Sequence, residues 1–458
     1  MTMYKEVAID TQEQALAVES PHPDYIKFIR CLKIFGAFLI PAAILYLLTG
    51  DKQVVLYFVG AVFLLLALYH TPFGLMVLFS FLSLEHAVVF REDFSASKLL
   101  GIVVLASYLL HMLKLKFFLG LPQRLMILFC LWSWASYLWC IDPVFTMSQL
   151  QQLSLQIGVG FIFFNVIRDK KSFFLVLSGF AVGAVIISWM LMFGSVAYSS
   201  WSTEELGRAL LVEGHSNPVN IGRAISVGFL VLCLTFFWKR RRVLQYSTYA
   251  ALILMLLAML LKTQSRLAVF VSVAAPIFAF IMIGEQQYRI KRLLYAAMIA
   301  VVAFGFLNIV LKSDLMTESA RERFTQTGFK ESGRIDMWID GVGLMMKRPL
   351  HGYGLGNAPF ARKGKGKGGS LHNNFIAIGA DLGLVGLALF GSLLIVLYKQ
   401  VSRITDQKFK WLGMAMFFLV VVSGVPAVNY TLKDFWYAMQ IVVVVIKLSE
   451  DYKTVESG

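Results

Sequence analysis

Apolar runs recur from one end of this 458-residue chain to the other, and that distribution constrains the fold more than any single motif. A helix of about 17 to 25 mostly apolar residues crosses a bilayer. Segments of this kind, some of them shorter, fall at 34–49, 54–69, 73–90, 99–113, 125–140, 155–167, 173–198, 220–238, 246–261, 267–284, 293–311, 373–398, 411–430 and 434–448. With 58% hydrophobic residues and a mean hydropathy of +0.71, the chain holds more apolar surface than a soluble core could bury. None of the runs alternates with the period of a barrel strand, so helices must satisfy the backbone in lipid. The sequence therefore predicts an all-α polytopic membrane protein of about 12–14 transmembrane helices. These form one membrane domain over residues 27–449, between polar tails at 1–26 and 450–458, with no soluble domain or internal repeat.

A net charge of +15 would raise the question of nucleic acid in a soluble protein. Here the basic residues gather in short loops between apolar runs: Lys114, Lys116 and Arg124; Arg168, Lys170 and Lys171; Lys239 to Arg242; Arg289, Lys291 and Arg292; Lys399, Arg403, Lys408 and Lys410. That bias marks the cytoplasmic side, and no nucleic-acid partner is expected. Counting spans between these loops puts both termini inside and the segments 91–98, 141–153, 199–219, 262–266, 312–372 and 430–434 outside. The first residues carry Glu6, Asp10, Glu13 and Glu19 without a basic start and short apolar core, which reads as a cytosolic tail and not a cleaved signal. Cys31, Cys130, Cys140 and Cys233 lie in or beside apolar runs, where packing is their expected role and a disulfide framework is not expected.

The long polar interruption from Leu311 to Gly386 is where chemistry can occur. It holds Arg321-Glu322-Arg323, then Arg334-Ile335-Asp336-Met337-Trp338, then Pro349 to Asn357 with glycines at 352, 354 and 356. A basic glycine-rich run follows, and His372-Asn373-Asn374 opens the next apolar segment. The spacing of Asp336, Trp338, Asp340, Gly341, Leu344, Met345 and Lys347 predicts an amphipathic, re-entrant or surface-lying helix from about Gly333 to Lys347, stopped before Pro349. Beyond it the glycines argue against a regular element, and a mobile basic loop is expected. Arg362, Lys363, Lys365 and Lys367 could attract an anionic lipid diphosphate or an acidic glycan, or simply keep the loop solvated. Asp336 and Asp340 stand one turn apart, as on a solvated helix face.

An imidazole at the mouth of a membrane helix, preceded by clustered arginines, suits work on an anionic lipid-linked substrate. His372 titrates near neutrality and could orient or deprotonate a hydroxyl; a helix-capping or interfacial role is the alternative. Arg266, in Thr263-Gln264-Ser265-Arg266, falls on the side opposite the basic loops, where it either snorkels to headgroups or binds an anion. Arg223 stands about one turn inside an apolar run and Arg208 in the preceding outer segment, flanking Asn217-Pro218-Val219-Asn220; an arginine within the membrane points to function. His351 reads as a turn residue. No outer Asp-x-Asp and no phosphate-binding or nucleotide fingerprint occurs, so neither a metal nor ATP nor another cofactor is expected.

Arg334 and Trp338, the Pro349-x-x-Gly352-x-Gly354 turn with Gly356, Asn357 and Phe360, then His372-Asn373-Asn374, then Asp381-Leu382-Gly383-x-x-Gly386 resemble, in order and spacing, the signature of the O-antigen ligase and O-antigen polymerase (Wzy-type) family of bacterial membrane glycosyltransferases. The resemblance covers roughly a sixth of the chain. Asp381 stands where the family more usually has Glu, and the loop before His372 is unusually rich in Gly and Lys. The resemblance implies a GT-C-like bundle with a large extracytoplasmic loop, in the inner membrane with the site on the periplasmic face. It implies metal-independent transfer of a glycan from undecaprenyl diphosphate to an acceptor hydroxyl. His372 would act as the catalytic residue, with Arg266, Arg334 and either Arg223 or Arg208 on the donor diphosphate. The expected partners are that lipid-linked donor, a glycan or lipid A-core acceptor, membrane lipids and other polysaccharide-assembly proteins. Polymerisation of exopolysaccharide or O-antigen repeats is favoured over ligation to lipid A-core, because a basic loop could accommodate a growing anionic chain. Transport or flipping of the lipid-linked glycan would place charges at mid-membrane between paired halves; here they gather on one side.

Overall fold

The computed structural model describes residues 23–50, 52–84, 96–111, 119–193, 197–198, 209–210, 218–238, 243–263, 265–283, 288–312, 333–363 and 369–456. These residues are helical apart from connections and one two-residue pairing. In chain order the helices are α1 (Pro23–Thr49), α2 (Lys52–Tyr69), α3 (Thr71–Leu84), α4 (Ala96–His111), α5 (Leu121–Ala135), α6 (Pro143–Val166), α7 (Lys170–Phe193), α8 (Pro218–Trp238), α9 (Val243–Lys262), α10 (Arg266–Met282), α11 (Arg289–Lys312), α12 (Arg334–Lys347), α13 (Ala358–Lys363), α14 (Asn374–Ser402), α15 (Gln407–Ser423) and α16 (Lys433–Glu456). Strand β1 (Ala197–Tyr198) pairs antiparallel with β2 (Ala209–Leu210).

Each of the fourteen apolar runs coincides with one helix, and α12 and α13 are the additional pair. By length and composition α1, α7 and α14 are long and apolar enough to cross a membrane, and several shorter apolar helices, α3 and α10 among them, accompany them. Leu47, Leu65 and Leu110 on α1, α2 and α4 remain largely exposed, as lipid-facing side chains do. The bundle interior is aromatic: Phe79 of α3 stacks on Phe180 of α7 with centroids 4.5 Å apart and meets the edge of Phe163 of α6 at 5.2 Å.

Helices α3 and α7 pack extensively against each other. A Cβ on Gly179 would come within 2.2 Å of the Met76 carbonyl oxygen, and one on Gly183 within 2.4 Å of that of Ser80. Two small residues four apart let backbones touch where no hydrophobic effect drives helices together.

Several boundaries differ from the sequence reading for local reasons. Residues 143–153, expected in an outer loop, are the first turns of α6, because Asp142 caps them by accepting from Phe145 N at 2.9 Å and Pro143 is preset for a first turn. The run expected to continue to residue 430 stops at Ser423, and residues 424–432 form a turn. The predicted helix at Gly333–Lys347 is present as α12, with Gly333 at φ 62° ahead of it. The short α13 occupies part of the stretch expected to be irregular.

Candidate active site

The Pro349–Asn357 turn and the start of α14 fit each other because α14 breaks at Gly383. That residue has φ 69° and ψ −171°, so the helix ladder is interrupted and polar backbone groups need new partners. Tyr353 N donates to Ala380 O at 3.0 Å, Gly354 N to Asp381 O at 2.8 Å, and the Trp132 indole to Leu382 O at 2.9 Å, while Leu384 N donates to Pro349 O at 2.6 Å. A Cβ on Gly383 would fall 2.3 Å from the Leu350 backbone and one on Gly352 2.4 Å from Asp381 O. The two glycine motifs, some thirty positions apart in the chain, are thus halves of one joint.

Asp381 holds this joint from inside. It is 2% exposed, accepts from Ala358 N at 2.6 Å, and accepts from the Tyr430 hydroxyl at 2.5 Å. Fully buried Asn357 adds a second brace, accepting from Asp142 N at 2.7 Å and donating to Thr146 Oγ1. The acid of the motif is therefore a fastener, not a group presented to substrate.

His372 precedes α14, whose start is capped by Asn373 accepting from Phe375 N and Ile376 N. Asn374 locks that start to the 424–432 turn: its Oδ1 accepts from Asn429 N at 2.6 Å and Tyr430 N at 3.1 Å, and its backbone N donates to Gly424 O at 2.7 Å. His372 itself sits at φ 48°, in the left-handed region. A histidine there is unfavourable, and such strain concentrates at sites whose surroundings over-determine it.

The imidazole is half-buried. Burial, then Arg334, then Arg362 hold its pKa below the ordinary histidine value, which keeps it neutral and able to accept a proton. Arg334, opening α12, is half-buried as well, and burial followed by the charge of Arg266 lowers its pKa. Arg266, Arg334, His372 and Arg362 therefore stand within electrostatic reach of one another in succession, Arg266 acting on Arg334 and both Arg334 and Arg362 on His372. Arg266 begins α10 just after its cap, Ser265, and is exposed.

Arg223 lies to one side. It lines a pocket with Ser226, Leu267, Ala268, Ser423, Asn429 and Asp434, so it borders the residues directly after Arg266. Its Nη2 donates to Asn220 Oδ1 at 2.5 Å, and its Nη1 is buried without a hydrogen-bond partner. Arg208 falls outside the described residues, as do Arg321, Arg323 and Gln264. His351 is exposed in the turn, its ring edge-on to Trp139 at 5.4 Å. Among the described residues no three His, Cys, Asp or Glu side chains gather as metal ligands would.

Two readings are corrected. Arg362 does not stand in solvent; it is 5% exposed and pairs with Asp340 at 3.2 Å. Asp340 is accordingly not on a purely solvated face. Neither this pair nor the roles of Trp132, Asn429 and Tyr430 left a trace in the local pattern, since each partner lies across a turn or on a distant helix.

Residues 250–391 match the family model described as O-Antigen ligase, a region that includes Arg266, Arg334, Arg362, His372 and Asp381 and leaves Arg208 and Arg223 outside. A protein of Rickettsia felis named "Putative polysaccharide ligase" is 22% identical over 72% of this chain and 81% of its own length. One of Rickettsia prowazekii with the same description is 21% identical over 68% and 76%. A third, of Rickettsia conorii, is 23% identical over 30% of this chain, which spans only 36% of that relative's length. The matched region holds the joint, the histidine, Arg266, Arg334 and Arg362, so the chain is similar to the O-antigen ligase family over the part that carries the candidate site.

Proposed function

We propose that this protein is a membrane glycosyltransferase of the ligase type, which moves a glycan from undecaprenyl diphosphate to an acceptor hydroxyl. The observation that carries the reading is the gathering of Arg266, Arg334 and a neutral, strained His372 where α10, α12 and α14 begin. The acceptor oxygen attacks the anomeric carbon, and its proton passes to His372. The bond from that carbon to the diphosphate breaks with its electron pair. Arg266 and Arg334 take up the charge on the leaving diphosphate, with Arg223 reaching it from the adjoining pocket. Arg208 remains a second candidate for that contact. No metal or other cofactor has a step in this scheme.

Connectivity supports a site on the outer face of the inner membrane. Helices α8, α10 and α14 carry Arg223, Arg266 and the His372 motif at their starts, and each runs to a basic loop at its other end. A GT-C-like bundle in which all fourteen apolar helices cross the bilayer is the architecture this topology implies.

The acceptor separates ligation from polymerisation. The family and its named relatives support a ligase, with lipid A-core as the acceptor the earlier resemblance implied. A polymerase would use the basic loop to accommodate a growing anionic chain, and Arg362 is turned inward to Asp340 instead. Purified protein given lipid-linked repeat units with and without lipid A-core tests both. A shifted core band means ligation, a ladder without core means polymerisation, and transfer undiminished in His372→Ala refutes the proposed chemistry. In cells, donor trapped on the cytoplasmic face of His372→Ala would instead indicate flipping.

A further inference from the structure

The guanidinium of Arg362 is the one cation of the basic run Arg362–Lys367 whose surroundings the structure describes, and it is buried. A cation kept to attract anions from solution would stand in water. Removing one from water is costly unless it is paired and hydrogen-bonded, and here both conditions are met. Nη2 donates to Asp340 Oδ2 at 3.2 Å and Nη1 to Gly369 O at 3.1 Å.

One contact lies on the helix that Arg334 opens and the other three residues before His372. Asp340 lies on α12, six residues after Arg334. Gly369 begins the strap Gly369-Ser370-Leu371-His372, which turns through φ 95° at Gly369 and φ 48° at His372. Within the strap His372 N donates to Ser370 Oγ at 3.3 Å, and Leu371 packs against Gly341 of α12. Arg362 therefore ties the strap to α12 on one side while the Asn373 cap fixes it to α14 on the other.

We propose that the Arg362–Asp340 pair positions His372 for proton transfer, so that Arg362 is a positioning residue of the transfer reaction and Asp340 its counterweight. This rests on the reading of His372 as the group that takes the acceptor proton. The charges facing the imidazole are Arg334 from α12 and Arg362 from α13, with Arg266 of α10 acting on Arg334; Asp340 of α12 is the carboxylate that partly offsets Arg362. Their signs make the two substitutions distinguishable. Loss of the Arg362 charge lets His372 bind a proton more readily, whereas loss of the Asp340 charge leaves Arg362 unopposed and makes protonation harder.

The test is the pH dependence of kcat for the full-length protein in lipid nanodiscs, given undecaprenyl-diphosphate-linked repeat units and acceptor. In Arg362→Gln the acid limb moves to higher pH and kcat on that limb falls on the order of ten- to a hundred-fold, with donor KM little changed. In Asp340→Asn the limb moves to lower pH. Arg362→Lys keeps the wild-type limb but loses kcat at every pH, because a point charge lacks the fork that reaches both Asp340 and Gly369. Limbs that coincide with wild type, or that move in the same direction, overturn the proposal; loss of activity without movement of the limb is what a merely structural pair would give. Full activity in His372→Ala would remove the underlying reading as well. An NMR titration of the 15N-labelled His372 imidazole in the same two variants needs no turnover, and shifts that are not opposite in sign overturn the proposal by themselves.

Discussion

Asn374 is the strongest single test of how the site is held, because its side chain satisfies two buried backbone donors on a distant turn. It is 1% exposed, and its Oδ1 takes the N–H groups of Asn429 and Tyr430. Its Nδ2 donates to Asn429 Oδ1, and Asn429 in turn reaches Ser423 through two bonds of 3.2 Å. Asn374→Ala leaves both backbone donors buried without an acceptor, at about 1–3 kcal/mol each. Side-chain hydrogen bonds between membrane helices average only about 0.6 kcal/mol, because the unfolded chain in lipid finds other partners. An orphaned backbone N–H is costlier, so the sum expected is about 2–6 kcal/mol. Ser178→Ala is the control: its hydroxyl bonds Leu175 O on its own helix, 2.5 Å away, and its loss should stay within about 0.5 kcal/mol. Thermal and denaturant unfolding of both variants in the same detergent gives the comparison. Should Asn374→Ala unfold together with Ser178→Ala, the claim that this asparagine fastens the His372 motif to the α15–α16 turn is wrong.

Three further outcomes are expected. Gly183→Leu should abolish accumulation of folded protein, because the Ser80 carbonyl leaves no room for a side chain, while Gly36→Ala, with nothing within 4 Å, should accumulate normally; quantitative detergent-extracted yield reads this. Gly352→Ala combines φ 66° with the approach of Asp381 O and should cost at least about 2 kcal/mol of stability, measurable by the same unfolding and accompanied by loss of transfer. The wild-type rate should be constant above the ordinary histidine value of 6.5 and fall only as pH drops through the lower value that burial, Arg334 and Arg362 impose on His372; a decline beginning above 6.5 in kcat/KM would refute a neutral imidazole as base.

The fourteen apolar runs and their order could be read from the chain because bilayer thickness fixes how long a spanning helix must be and lipid forbids unpaired backbone. The α12 helix and the candidate residues His372, Arg266 and Arg334 were legible for a related reason, since periodicity, charge sidedness and a compact signature are properties of neighbours in sequence. Helix starts such as that of α6 went astray where a cap and a proline outweighed polarity. What only the tertiary structure decided is which distant groups meet: the α14 carbonyls near Gly383 finding the Pro349–Gly354 turn, Asn374 finding Asn429, and Arg362 turning inward to Asp340. Those partners are chosen by burial, where a polar group must find whatever complement the packed helices bring within reach, and no local pattern encodes that choice.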